Sequence, residues 1–173
     1  MTRSMTQARE ATVERWIAEY GTAVLRVCFV YLADADQAQD AMQETFLKAW
    51  RNMAQFEGRN GASEKTWLMH IAANVCRDMK RSRWFRHIDQ RRALDELPLQ
   101  AANVSPGDQA LLMDILSLPD RYKQVILLYY YQNMTIEEVA EALSLSKSTV
   151  HNRLRRAEGQ LRSTLLGGEC YDP

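Results

Sequence analysis

Seven side chains near the C-terminal end are of the kinds that read nucleic acid: Lys147, Ser148, Thr149, His151, Asn152, Arg155 and Arg156. Arginine and lysine match the acceptor edge of guanine and asparagine matches adenine, while the remaining cations and hydroxyls suit phosphate oxygens. A second polar set, His70, Asn74, Arg77 and Arg81, recurs at three and four residues and would form one basic stripe on a helix. Nothing comparable points to bond-making chemistry. Cys28, Cys76 and Cys170 contain no C-x-x-C pair, and His70, His87 and His151 share no metal-ligand spacing with them. No nucleophile–base pair or phosphate loop can be placed. The expectation is a binding protein, not an enzyme, with no cofactor, metal or small-molecule substrate. Cys28 and Cys76 lie in apolar helical patterns and are expected as buried, reduced thiols.

The 173-residue chain has 22 basic and 22 acidic residues, a balance that speaks weakly against nucleic-acid binding until their distribution is followed. From Lys65 to Arg92 eight basic residues face two acids; from Ala93 to Ser146 two face eight; from Lys147 to Arg162 five face one. Two basic blocks around an acidic one predict two phosphate-facing surfaces, although two solvated helix faces would give the same pattern. No apolar run approaches the roughly 20 residues of a membrane span. The polar start, Met1 to Met5, lacks a signal-peptide core, so a soluble cytoplasmic protein is expected.

The elements that position these residues read as helices throughout. Val13, Trp16, Ile17, Tyr20, Val24, Val27, Cys28 and Tyr31 form one amphipathic stripe, broken at Asp34 to Asp36, where Asp36 and Gln39 resemble a capping box. A second stripe runs through Ala38, Met42, Thr45, Phe46, Ala49, Trp50 and Met53, with Phe46 and Trp50 expected in the core. Phe56 to Ser63 reads as a loop. A third helix over about Glu64 to Arg83 buries Leu68, Ile71, Ala72, Val75 and Met79, and Trp67 is assigned to the core by its spacing. Trp84 to Val104 loses periodicity and reads as a linker. Ser105-Pro106 starts a further helix that Leu118-Pro119 closes. Another ends near Asn133.

Thr135 with Glu138 predicts a capping box, Ser144 to Ser146 a turn, and Lys147 the start of a last helix. This short helix, turn and longer helix have the form of a helix-turn-helix. Val139, Ala140, Leu145, Val150 and Leu154 pack the pair, and the start of the second helix stays free for a major groove. Ser144 stands where such turns often carry glycine. The motif alone does not separate an activator or repressor, acting as a dimer on duplex DNA, from an initiation factor.

The N-terminal half discriminates between them. The run from Asp36 to Trp50 resembles sigma factor region 2.2, and Thr66 to Asp78 resembles regions 2.3 and 2.4. Leu118 to Leu127 is similar to region 4.1, and the helix-turn-helix to region 4.2. With no room for a folded region 3 or 1.1, the chain resembles the extracytoplasmic-function (ECF) group of the sigma-70 family. The resemblance implies an all-α fold of two small helical domains: region 2, a three-to-four-helix bundle at residues 10–85, and region 4 at residues 105–167. A flexible linker at 86–104 would join them.

It also implies roles. Asp40, Gln43 and Glu44, with Lys48 and Arg51, would dock on the β′ clamp helices of core RNA polymerase, and region 4 on the β flap. Arg59, Asn60 and Ser63 in the loop, with Asn74, Arg77 and Arg81 on the helix, would read the −10 element as an opened strand. Lys147, Ser148, Thr149, His151, Asn152, Arg155 and Arg156 would read the −35 element as duplex. An anti-sigma factor, in this family often membrane-bound, would be a further partner. Three features depart from the family pattern. The −10 loop looks longer by about two residues, Glu64 stands where an apolar residue is common, and Glu158 where a basic one is frequent.

Overall fold

A computed structural model describes residues 2–57, 63–81 and 113–165. Arg59, Asn60, the expected linker, the helix start at Ser105-Pro106 and Cys170 lie outside the described residues. Among those described the fold is all-α: α1 (Thr2–Leu32), α2 (Ala35–Arg51), α3 (Met53–Glu57), α4 (Glu64–Arg81), helical residues 113–117 (α5), α6 (Asp120–Ile126), α7 (Ile136–Leu143) and α8 (Lys147–Leu165).

Local chemistry sets the boundaries. Ala33 turns into the left-handed region (φ 54°) and ends α1. The cap of α2 is Asp34, not Asp36: Asp34 is extended, and its side chain accepts from the Gln37 N–H at 2.8 Å. Asp36 instead lies in the first helical turn, where its charge suits the helix dipole. At the other end Asn52 donates to the Lys48 carbonyl from both its backbone and its side chain, separating α2 from α3. Phe56, expected in a loop, therefore sits on α3 and packs edge-on against Trp16, 6.2 Å between centroids.

The N-terminal core joins Trp16, Val24, Cys28 and Tyr31 of α1, Ala38, Ala41, Phe46 and Ala49 of α2, and Leu68, Ile71, Ala72 and Val75 of α4. Alanines facing α1 let α2 approach it closely. Cys28 and Cys76 are buried free thiols, and the contact with Cys76, together with burial, pushes the Cys28 thiol well up, which keeps it protonated. Trp50 corrects an expectation: it is 37% exposed. The first turns of α1 bring a cation to it, with the Arg9 guanidinium 5.9 Å from the ring centroid and Arg9 Nη2 donating to the Trp50 carbonyl at 3.1 Å.

Glu64 opens α4 with a charge because it receives two bonds from Arg15, at 2.9 and 2.6 Å. Arg15 holds its carboxyl below the usual glutamate range. Since the folded value lies below the unfolded one, the pair's contribution is present above the ordinary value of about 4.3 and is lost as pH falls through the depressed one. Glu64→Gln is expected to lower the melting temperature at neutral pH and to lose that difference at acid pH in a pH series of thermal unfolding. A difference that grows toward acid would contradict the pairing.

In the C-terminal half, Pro119 starts α6, which passes into a π turn over Leu127–Tyr131, closed by Gln132 N–H to the Leu127 carbonyl at 3.1 Å. The extra residue leaves Tyr130 and Tyr131 on the surface, 51% and 43% exposed. The Thr135–Glu138 capping box forms as expected: Thr135 Oγ1 accepts from Glu138 N–H at 3.2 Å, and Glu138 Oε2 accepts from Thr135 N–H at 2.8 Å. Ser144 adopts φ 54°, ψ 47°, the left-handed conformation glycine holds without strain. Ser144→Gly is expected to stabilise this half by about 0.5–1 kcal/mol, the relief of αL strain exceeding glycine's entropy cost. Denaturant midpoints would show it, and a lower midpoint would contradict it. The two halves touch, α7 along α4 and α6 beside α1.

Candidate nucleic-acid and polymerase interface

Three surfaces carry the residues singled out by sequence. On α2, Asp40, Gln43, Glu44, Lys48 and Arg51 follow one another at three and four residues and share one accessible stripe. Lys48 Nζ lies 4.0 Å from Glu44, a solvated pair of small energetic weight. The stripe also holds Leu47, 47% exposed, which sequence reasoning passed over. Leu47 borders a shallow apolar groove of about 340 Å³ between α1 and α2, with Ile17, Met42, Phe46 and Trp50 in its lining. The signal was present in the sequence: Leu47 falls at the spacing of the charged stripe, away from Thr45 and Ala49.

The polar face of α4 carries His70, Asn74, Arg77 and Arg81. Asn74 Oδ1 accepts from Arg77 Nη1 at 3.0 Å. His70 Nδ1 lies 2.8 Å from the Ala142 carbonyl and must donate to it, so in the neutral ring Nε2 accepts from Asn74 Nδ2 at 3.0 Å. Arg81 is exposed, whereas His70, Asn74 and Arg77 are half-buried. Ser63 caps α4, its hydroxyl accepting from the Thr66 N–H at 3.0 Å and meeting the Thr66 hydroxyl at 2.8 Å. Ser63 thus has a local structural role besides the one expected of it. Trp67 is buried against Phe56 and Trp16 at centroid distances of 5.0 and 5.6 Å, as its spacing indicated.

The helix-turn-helix presents the third surface. Ser146 caps α8: its Oγ accepts from the Thr149 N–H at 3.2 Å and lies 3.0 and 2.8 Å from the hydroxyls of Ser148 and Thr149. Lys147 reaches back to Glu137 at 2.7 Å and holds that carboxyl below its usual range. His151, Asn152, Arg155 and Arg156 project into solvent one turn further on, over buried Val150 and Leu154. Arg156 stands beside the Tyr122 hydroxyl and lowers its pKa. Glu158 is occupied by the Tyr130 hydroxyl at 2.5 Å, which pushes the tyrosine up to about 12. An acid at that position therefore serves the packing of the π turn against α8.

Among the described residues, an all-α fold with a helix-turn-helix, a second basic helix face and an acidic–apolar stripe has the surfaces of a DNA-directed binding protein. The family description "Sigma-70 region 2" matches residues 16–86, and "Sigma-70, region 4" matches residues 108–161. The chain is 32% identical to the ECF RNA polymerase sigma factor SigL of Mycobacterium tuberculosis, over 91% of this chain and 92% of SigL. It is 33% identical to the probable RNA polymerase sigma factor RfaY of Xanthomonas campestris pv. campestris over 83% of this chain, and spans 38% of that longer protein. The fold is similar to that of the sigma factor RpoE of Bartonella quintana, solved in complex with the anti-sigma factor NepR: TM-score 0.70, 21% identity, 89% of this chain and 96% of that one. The chain belongs to the sigma-70 family, in its extracytoplasmic-function group.

Proposed function

We propose that this chain is a non-enzymatic specificity subunit that binds core RNA polymerase and directs initiation at promoters through their −10 and −35 elements. The observation that carries the reading is the presence, in one chain, of an accessible charged and apolar stripe on α2 and an exposed polar and basic face on α8. A stand-alone helix-turn-helix regulator needs the second and leaves the first unexplained. In this reading Asp40, Gln43, Glu44, Lys48 and Arg51, with Leu47 added, meet the β′ clamp helices, and the C-terminal half meets the β flap. Asn74, Arg77 and Arg81, with Arg59, Asn60 and Ser63, hold the opened −10 strand. The seven residues from Lys147 to Arg156 hold the −35 duplex. The domain boundaries at 10–85 and 105–167, a cytoplasmic location and an anti-sigma partner belong to the same proposal. No described helix is long and apolar enough to cross a membrane, which fits that location.

Near-zero net charge suits a protein that binds DNA poorly by itself and well when polymerase supplies further contacts. Footprinting tests this: protection at two promoter elements is expected with chain and core polymerase together, and none with the chain alone. Protection of a palindrome by the chain alone would overturn it. Glu44→Ala is expected to weaken core-polymerase binding several-fold with unchanged helical circular dichroism, through loss of a charge-assisted contact. Loss of helicity in that variant would make Glu44 structural.

A further inference from the structure

Arg155 and Glu158 stand one turn apart on α8, at a spacing where a guanidinium and a carboxylate are neighbours on a helix surface and attract each other. The same order of charges does pair elsewhere in this chain, where Arg15 meets Glu19 at 3.3 Å. Arg155 behaves otherwise: it is exposed and enters no ion pair among the described residues. The carboxylate within its reach is taken by another group, the Tyr130 hydroxyl, which donates to Glu158 Oε1 at 2.5 Å.

The fold puts that hydroxyl in place deliberately by two means. The extra residue of the π turn over Leu127–Tyr131 brings Tyr130 out of the core and across to α8. Tyr129, half-buried, then meets the Tyr130 ring edge to face at 4.9 Å between centroids and sets its direction. The two tyrosines line an open pocket of about 380 Å³ with His151, Asn152, Arg155 and Glu158, so the bond lies at the edge of the reading face. Its partner Glu158 pushes the Tyr130 phenol up to about 12, which keeps the hydroxyl a donor at neutral pH.

We infer that Tyr130 is a positioning residue for −35 recognition: by binding Glu158 it keeps that carboxylate off Arg155 and leaves the guanidinium free for duplex DNA. The inference rests on α8 being the −35 reading face. It also gives a reason why an acid is tolerated beside a surface that meets phosphates.

The test is a double-mutant cycle on holoenzyme, read as affinity for a −35 duplex at several salt concentrations. Tyr130→Phe keeps the ring and removes the hydroxyl. It is expected to weaken binding about two- to fivefold, the scale of one surface ion pair, and to lower the salt slope by at most about 1. In the Glu158→Gln background, where position 158 has no charge to offer Arg155, Tyr130→Phe is expected to change neither quantity. Unchanged binding on Tyr130→Phe alone, or an equal loss in both backgrounds, would overturn the inference; the equal loss is what a merely structural tyrosine gives. Arg155→Ala tests the reading beneath it. If that variant keeps full affinity and salt slope, Arg155 does not meet the duplex, and the −35 assignment of this face fails together with the inference.

Discussion

Replacing Trp67 with alanine is expected to destabilise the N-terminal half by about 3–5 kcal/mol, the range for removing a large buried aromatic side chain. Trp67 is 6% exposed and closes a three-ring cluster with Trp16 and Phe56, which ties α4 to α1 and α3. Edge-to-face and tilted ring contacts add to the transfer term. Trp67→Phe keeps a ring in place and should cost clearly less. Urea denaturation of the three proteins measures this. The result also separates two roles for the residue: if Trp67→Ala unfolds at the unsubstituted midpoint but fails on −10 strand DNA, the ring stacks a base and the core assignment is wrong.

At the other end of the chain, Asn152→Ala is expected to cost about 1–3 kcal/mol on the preferred −35 duplex and to relax specificity at one base pair. Asn152 is exposed near the start of α8, where recognition helices meet base edges. Arg156→Ala should behave differently. Arg156 is exposed a turn beyond Asn152, beside Arg155, where a cation suits a phosphate. Its loss should weaken all duplexes about equally and lower the salt slope by about 1. Binding of the holoenzyme to a −35 library at several salt concentrations distinguishes the two. An equal loss on every sequence for Asn152→Ala, or a selective loss for Arg156→Ala, would exchange their roles.

Periodic features proved legible, and so did short-range chemistry. The stripes of α1, α2 and α4 appear with few exceptions, and the Thr135–Glu138 capping box forms between the named atoms. Ser144 holds the turn despite lacking glycine's freedom, at the strain its φ of 54° implies. The choice between Asp34 and Asp36 as cap was not legible, because both offer a carboxylate and only the backbone conformation decides. The π turn at Leu127–Tyr131 was hidden for the same reason: one extra residue in a run of apolar side chains leaves no compositional mark. Trp50 was misplaced because a residue on the apolar stripe is buried only if something apolar lies opposite, and here the charged Arg9 lies opposite instead. The contact between the halves was least accessible to sequence. Its polar links join side chains and backbone carbonyls 40 to 93 residues apart, and of these only Tyr31 stood on a stripe that periodicity marks as apolar.

The central claim is that this chain gives core polymerase its promoter choice, and run-off transcription tests it most directly. Core polymerase is incubated with a genomic promoter pool, with and without the purified chain. Discrete transcripts are expected only when the chain is present, and they should fall in the Glu44→Ala and Asn152→Ala proteins. The same transcripts without the chain, or none across the pool with it, would contradict the account.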